Sequence, residues 1–435
     1  MDDRFAISPN GTAPPNTWRN SLRLTGWERS GDKSRVKLRS VILTAFACLG
    51  VFASDYTVRI ETGERGLKNA IVRVPVPKED KDFPAKGILQ DASGQRLFFQ
   101  TDPLGELAFV APEIERHSVK RYRLLRAMPK NFEGMHADLE EERITVTDYG
   151  KRVFTYQGGE GALPRPDIDP VYKRGGYIHP VFSPGGHLVT DHYPPNHLHQ
   201  HGIWAPWTKT EFEGRTPDFW NMGQRKGTVE FVKFGPRWSG GPVQAGFQME
   251  HRFVDLTAPE PKVALNETWT VIAYHVPNAA YFVFDLVSTQ QCAGASPLKL
   301  PKYHYGGLGF RGNWGWNGAK KTFFLTSNGE TNRVKANETR GNWCHIGGEV
   351  DGFLTGVAIL SHPGNFRSPQ PMRVHPTEPF FCFAPSQLGD WLIDPGKAYV
   401  ARYRFVVMDG PPDKAKIDQV WEAYAHPPEV AIEKD

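Results

Sequence analysis

The chain has 435 residues, enough for two domains or one large β-sandwich, and its 39% hydrophobic content suits a globular protein. Its 43 glycines, 36 prolines and 12% aromatic residues are typical of a loop-rich β protein. The formal charge of +4 arises within residues 1–53, which hold eight Lys and Arg against four Asp and Glu, so the rest of the chain is neutral. A neutral body argues against a nucleic-acid partner, which requires a clustered positive surface.

Residues 1–53 are predicted to be a leader and signal peptide. Lys37 and Arg39 precede an apolar run over 41–52, which is shorter than a membrane span and is followed by the small residue Ala53. We therefore expect cleavage near Ala53 and export to the periplasm or the cell exterior, with no membrane contact afterwards. An uncleaved signal anchor is the alternative.

Residues 54–126 are predicted to form a small immunoglobulin-like β-sandwich domain. Short alternating runs such as 56–61 and 70–77 are separated by turn residues, which is the pattern of consecutive antiparallel strands. The following stretch, 127–142, is polar and interrupted by glycine and proline. It is predicted to be a linker.

Residues 143–435 are predicted to form a large antiparallel two-sheet supersandwich, so the fold class is all-β. Long runs such as 281–292 alternate between the two faces of a strand, with apolar residues on at least one face. Near the end of the chain, the apolar residues of 415–425 recur at helical spacing. They predict an amphipathic helix that packs on the sandwich.

The stretch 177–220 is the first candidate site, because it holds six of the fifteen histidines. His197, His199 and His201 alternate with other residues, so an extended backbone would project all three imidazoles to one face. They could bind a divalent metal, bind a polyol or perform acid–base chemistry, and loop packing is the structural alternative. The carboxylates that could complete a metal site are Asp191, Glu211, Glu213 and Asp218.

The glycine-rich segment 302–311 is the second candidate. Its glycines would let the backbone approach a ligand closely. His304 can transfer a proton, and Arg311 can bind a carboxylate or a hydroxyl group. A bulge in a twisted sheet is the structural alternative.

The third candidate follows an apolar run at 355–360. His362, with Asn365 and Arg367 close behind, would stand at a strand end, where loops often gather functional groups. A solvated turn is the structural alternative.

Several motif classes are missing from the sequence. Beyond the leader there are three cysteines and no Cys-x-x-Cys pair, so at most one disulfide can form and a thiolate metal site is disfavoured. There is no Gly-x-Ser-x-Gly, no His-Glu-x-x-His and no dinucleotide fingerprint. Serine-hydrolase and zincin mechanisms are therefore disfavoured.

Over 143–410 the sequence resembles the PmoA-like family of secreted bacterial proteins, also labelled "methane oxygenase". The segment 199–202 departs from the family, because His-Gln-His-Gly stands where the family often has His-His-Arg-Gly. The resemblance implies a galactose-mutarotase-like β-supersandwich associated with carbohydrate breakdown. The matching pieces are Tyr177-Ile178-His179-Pro180 with Ser183, Pro184 and Gly186; His197 and His199 with Gly202-Ile203-Trp204; Asp218-Phe219-Trp220; Tyr305-Gly306-Gly307-Leu308-Gly309 with Arg311; and His362-Pro363 with Asn365 and Arg367.

We hypothesise an exported carbohydrate-active enzyme, either a hydrolase, a lyase or an epimerase, that binds a carbohydrate or small polar ligand. His199 and His304 would transfer protons, Arg311 would bind a carboxylate or hydroxyl, and Asp218 would orient a histidine. A non-catalytic carbohydrate-binding protein is one alternative, and a metal-dependent oxygenase using His197, His199 and His201 is another. Trp204 and Trp220 would stack on the sugar ring. Further substrate contacts are expected from His179, His197, His201, His362, Asn365 and Arg367.

Overall fold

The computed structural model describes residues 53–128 and 133–434. The expected leader lies outside the described residues except for Ala53, and so does part of the expected linker. The described chain consists of antiparallel strands and turns with two short α-helices, as the all-β prediction requires. The helices are α1 (Arg333–Ala336) and α2 (Lys414–Ala425). The first thirteen strands are β1 Ala53–Glu61, β2 Ala70–Pro75, β3 Lys86–Gln90, β4 Arg96–Thr101, β5 Glu106–Ala111, β6 Val119–Leu125, β7 Met135–Glu140, β8 Arg143–Asp148, β9 Lys151–Gln157, β10 Tyr177–Val181, β11 Ile203–Trp204, β12 Gly227–Trp238 and β13 Gln244–Asp255. The others are β14 Lys262–Tyr274, β15 Tyr281–Cys292, β16 Leu298–Leu300, β17 Leu308–Arg311, β18 Thr322–Thr326, β19 Arg340–Gly341, β20 Trp343–Val350, β21 Phe353–Ser361, β22 Gln370–Val374, β23 Phe380–Phe383, β24 Trp391–Ile393, β25 Tyr399–Asp409 and β26 Glu429–Lys434.

A seven-stranded sheet contains β1 to β6 and the distant strand β26, in the order β2-β5-β4-β3-β6-β1-β26. Alternate residues of its strands, such as Val58, Phe99 and Tyr122, share one hydrophobic core. Residues from most of its strands are therefore buried together in a single cluster. Strand β26 pairs with β1 from Tyr56 opposite Lys434 to Glu61 opposite Glu429.

Two larger sheets face each other and form the sandwich. The nine-stranded sheet runs β19-β22-β23-β17-β11-β10-β9-β8-β7, and the eight-stranded sheet runs β12-β13-β14-β15-β25-β21-β20-β18. Strand β7 lies within the stretch expected to be a linker. Residues of both sheets, such as Phe310 and Phe284, belong to the core between them. This shared core is what joins the two layers.

Strand alternation in the nine-stranded sheet separates its two faces. Ile203, Leu308 and Phe310 point into the sandwich core, because they belong to the cluster that both sheets share. Their strand neighbours, such as Trp204, belong to a second cluster on the other side, together with Trp220 and Phe380. The outer face of β11, β17 and β23 therefore packs in its own cluster and does not contribute to the core between the two sheets.

Helix α2 covers the outer face of the eight-stranded sheet, as the amphipathic pattern predicts. Ile417 is buried there with residues of β20 and β21, and Trp421 and Tyr424 pack against the same cluster. Asp418 accepts a hydrogen bond from the indole nitrogen of Trp343 at 2.9 Å.

The three cysteines of the described chain, Cys292, Cys344 and Cys382, are all free. Cys344 and Cys382 are buried, and burial raises the pKa of the Cys382 thiol to about 12. No helix among the described residues is both long enough and apolar enough to cross a membrane.

Candidate functional site

A pocket of about 230 Å³ lies on the outer face of the nine-stranded sheet, over β11, β17, β22 and β23. Loops that are far apart in sequence build it. One precedes β11, one follows β11, one precedes β17 and one joins β22 to β23. The lining residues are His197, His199, Gln200, Trp220, Asn221, His304, Tyr305, Arg373, His375 and Phe380.

The rings around this pocket are in contact with one another. The imidazoles of His197 and His199 are 5.7 Å apart between centroids, and those of His197 and His375 are 6.2 Å apart. His304 lies 4.8 Å from Tyr305, which is edge-on to Trp220 at 5.3 Å. The sequence alone does not reveal that these four histidines, His197, His199, His304 and His375, line the same pocket.

Desolvation favours the neutral form of all four imidazoles. It lowers the pKa of His199 to about 4, and the nearby His197 and Arg311 act in the same direction. It also lowers the pKa of His375 to about 4, with Arg373 as the next cause. The pKa values of His197 and His304 are lowered as well, again chiefly by burial. Uncharged imidazole can both accept and donate a hydrogen bond.

Three of the pocket histidines have unpaired rings. No hydrogen bond within the described residues involves a ring nitrogen of His197, His199 or His304, and Nδ1 of His197 is buried without a partner. His375 differs, because its Nδ1 accepts the backbone N–H of Glu378 at 2.9 Å. The neutral His375 ring therefore carries its proton on Nε2, which leaves it a donor there.

Arg311 does not reach the pocket surface, contrary to its predicted role of holding a substrate group. Its side chain is fully buried and donates to the side-chain oxygens of Gln200 at 2.9 Å, Glu378 at 3.1 Å and Asn317 at 2.8 Å. It thereby ties the loop of His197 and His199 to the loop of His375. Strand alternation places Arg311 on the outer face, opposite to the core-facing Phe310, and the loops that carry Gln200, Asn317 and Glu378 bury it there.

Asp218 was expected to orient a histidine, and the structure gives it a different role. Its carboxylate accepts the backbone N–H groups of Trp220 at 2.9 Å and Asn221 at 2.8 Å, and also the side-chain amide of Asn221 at 2.8 Å. Asn221 in turn donates to the hydroxyl of Tyr305 at 3.2 Å. Asp218 thus fixes Asn221 and Tyr305, two residues of the pocket.

Trp204 and Trp220 were expected to stack on a sugar, but both are fully buried. Their rings are 4.8 Å apart and pack over Gly309, where an added Cβ would lie 2.8 Å from Trp220. Close approach of the two indoles therefore requires glycine at this position of β17. Tyr305, which is partly exposed, is the aromatic residue able to contact a ligand.

The segment 197–201 is not extended, so its three imidazoles do not share a face. Backbone hydrogen bonds from His197 N to Pro194 O and from Gln200 N to His197 O fold it into consecutive turns. His201 is fully buried against Tyr177 and Tyr193, with ring centroids 4.8 and 4.5 Å apart. The triplet expected for a metal is therefore split between pocket and interior.

The structure keeps the other proposed ligands of the first segment away from the pocket. His179 is buried, with Nδ1 2.9 Å from the hydroxyl of Thr190, and it stacks on His192 at 4.0 Å.

Within 53–128 and 133–434, no group of three or more His, Cys, Asp or Glu side chains is arranged to hold a metal ion.

The third predicted segment lies elsewhere and has structural roles. The ring of His362 is 5.1 Å from that of Tyr424 in α2. Asn365 bonds both ways with the backbone of Arg402, at 2.8 Å each. Arg367 donates to the carbonyls of Pro385, Gly389 and Asp390 at 2.7, 2.8 and 3.1 Å. None of these three residues lines the pocket.

Sequence reasoning noted Arg373 and His375 only as residues that follow the third candidate segment and gave them no specific role, yet both line the pocket. Arg373 lies in β22 opposite Cys382 of β23, on the outer face, and His375 follows one residue after the strand ends. Their spacing of two was the available signal, because alternate residues of a strand share a side. No local sequence pattern indicated that β22 lies near His197 and His199 in the fold.

A larger cavity, of about 840 Å³, lies between the turn at 62–68 and the end of α2. Its walls hold Glu64, Arg65 and Glu422 among other exposed charged residues, and His426 is its single histidine. Although it is larger, it lacks the grouped neutral imidazoles, and we take the smaller pocket as the candidate site.

The fold and the pocket together define a β-supersandwich protein with a histidine-rich site on one outer sheet face. The sequence matches the family of unknown function DUF6807 over residues 143–422, and the chain belongs to this family. No curated protein matches the chain significantly.

Two solved structures from Enterococcus faecalis show limited similarity. One is an alpha-mannosidase from strain V583, with 12% identity and a TM-score of 0.41, covering 88% of this chain and 46% of that one. The other is a protein of glycosyl hydrolase family 38, with 12% identity and a TM-score of 0.35, covering 87% and 47%. The chain thus spans less than half the length of either structure.

Proposed function

We propose that this protein is an exported carbohydrate-active enzyme that performs proton-transfer chemistry on a single sugar unit. The supporting observation is that His199 and His304, from loops about a hundred residues apart, line one pocket, and neither ring is hydrogen-bonded within the described residues. A neutral imidazole can accept a proton from a bound substrate and return it. The pocket volume of about 230 Å³ lies below the roughly 300–1,000 Å³ of drug-sized ligand sites, which favours one ring over an oligosaccharide.

The residues that line the pocket favour some classes of sugar chemistry over others. Glycoside hydrolases generally use a pair of Asp or Glu residues beside the scissile bond. The lining residues identified in the described chain include neither Asp nor Glu. Within the proposal, epimerisation and elimination are therefore favoured over two-carboxylate hydrolysis.

The test is product formation from monosaccharides, sugar acids and oligosaccharides by the purified protein. We expect His199→Ala and His304→Ala to lower turnover by about 100-fold or more, the usual contribution of a proton-transfer group, while the fold is retained. His426→Ala, at a histidine outside the pocket, is the matched control and should leave turnover unchanged. Full turnover in both pocket variants would overturn the catalytic roles.

A non-catalytic sugar-binding protein is the second candidate. The observation favouring it is that a Tyr, an Asn, an Arg and donor imidazoles surround the pocket, a set that suffices for binding alone. Sugar binding lost in the histidine variants, with no product from any binding sugar, would select this alternative.

A further inference from the structure

The charge of the pocket depends on one residue, Arg373. The four lining imidazoles are neutral at neutral pH because burial lowers the pKa of each. The other lining residues are Gln200, Trp220, Asn221, Tyr305 and Phe380, which carry no charge at that pH. Among the lining residues of the described chain, Arg373 is therefore the sole formal charge.

No carboxylate of the described chain forms an ion pair with Arg373. Its Nη1 donates to the side-chain oxygen of Asn337 at 3.1 Å, and the same oxygen accepts the backbone N–H of Val374 at 3.2 Å. Asn337 thus orients the guanidinium without neutralising it. The group is partly exposed, and its four other N–H donors make no hydrogen bond within the described chain.

Two carboxylates lie nearby, and neither forms an ion pair with Arg373 within the described residues. Glu378 accepts hydrogen bonds from Arg311 at 3.1 Å and Asn196 at 2.7 Å, so its charge is paired with that of Arg311. Glu338 is exposed and acts on His304 at longer range. The pocket wall therefore presents a positive charge beside neutral hydrogen-bonding rings.

We infer that the ligand of this pocket is an anionic sugar, namely a hexuronate whose carboxylate binds Arg373. Guanidinium and carboxylate match in planar, bidentate geometry, and a charge-assisted pair of this kind is stronger than a neutral hydrogen bond. The hydroxyl groups of the ring would bind the imidazoles, Asn221 and Tyr305. Arg373 would thus bind the carboxylate of the ligand, which is the role that sequence analysis predicted for Arg311. This inference rests on the proposed sugar-binding function and specifies its ligand class.

The experiment measures affinity by calorimetry for glucuronate and galacturonate, for their uncharged methyl esters, and for glucose and galactose. We expect at least one hexuronate to bind about 10-fold or more tighter than its ester and its parent hexose. Arg373→Gln should remove that difference, and Arg373→Lys should keep part of it, because a point charge without the fork remains. Arg152→Gln is the matched control, since Arg152 is an exposed arginine that stacks on Phe182 outside the pocket.

The possible outcomes separate this inference from the proposed function. Equal affinity for hexuronates and neutral sugars, or an unchanged preference in a folded Arg373→Gln protein, overturns the inference alone. Binding of no sugar of either class counts against both. If Arg373→Gln does not fold, the comparison between each hexuronate and its ester in the unaltered protein still decides the matter.

Discussion

The guanidinium of Arg311 forms an ion pair with the carboxylate of Glu378, and the nitrogen and oxygen are 3.1 Å apart. The Arg311 side chain is fully buried, while that of Glu378 is 15% exposed. Burial favours the protonated form of Glu378, but hydrogen bonds from Asn196 and Arg311 outweigh it and lower the pKa of this carboxyl. The pair therefore joins two loops that carry His197, His199 and His375.

Replacing Arg311 by methionine should destabilise the protein by about 3 kcal/mol, because removal of one partner leaves a carboxylate without its counter-ion. The measurement is urea unfolding at neutral pH. Arg225→Met is the control, since Arg225 pairs with Asp169 at 3.4 Å on the exposed surface. It should have no measurable effect. An equally small effect of Arg311→Met would contradict the bridging role.

Gly309→Ala should cost about 1–3 kcal/mol of folding stability, since the new methyl group would lie 2.8 Å from Trp220 and 3.2 Å from Trp204. It should also weaken sugar binding, because Trp220 lines the pocket. Gly63→Ala meets no atom within 4 Å and serves as the control. Unfolding and binding measured on the two variants decide the matter, and equal stability of both would disprove the crowding argument.

His345 should make the protein sensitive to acid. The residue is fully buried, neither ring nitrogen has a partner among the described residues, and burial lowers its pKa to about 3. Because the unfolded state takes up this proton below about pH 6.5 and the folded state does so only near pH 3, stability falls as the pH drops through that window.

His345→Leu should remove this contribution, so the variant should gain about 2 kcal/mol relative to the unaltered protein between pH 7 and pH 4.5. Urea unfolding at the two pH values measures it. At pH 7 the change should be small, because an unpaired buried ring is replaced by an apolar side chain of similar size. A pH-independent difference would refute the assignment.

The pH dependence of turnover should report on His199. An ordinary histidine gains its proton near pH 6.5, but burial lowers the pKa of His199 to about 4. If the neutral ring is required, kcat/KM should show no loss attributable to His199 until the pH approaches 4. An acid limb near pH 6.5 that disappears in His199→Ala would show that the ring titrates normally in solution.

Regular structure was readable from the sequence where one local pattern determined it. The helix expected over 415–425 is found as Lys414–Ala425, and alternating runs such as 281–292 form strands. Alternation also predicted a shared face for His197, His199 and His201, and this was wrong. Consecutive turns there satisfy the backbone of the segment, so strand periodicity does not apply.

The site was only partly predictable, because its residues meet through long-range strand pairing. Sequence pattern could nominate His199 and His304 as titratable groups, but not which faces of β11 and β17 turn away from the core. For the same reason Trp204 and Trp220 could not be distinguished from exposed rings. Arg373 joins them only through the pairing of β22 with β23 and of β23 with β17. The resemblance to the PmoA-like family stays a prediction.

The pairing of β1 with β26 joins the two ends of the described chain in one sheet. One edge of β1 is left open until residues 429–434 have been synthesised, more than 360 residues later. Contacts over such a sequence separation form slowly, and an unpaired strand edge invites pairing with another chain. A protein that lacked residues 429–434 would keep this edge of β1 unpaired, and the edge would be open to strands of other molecules.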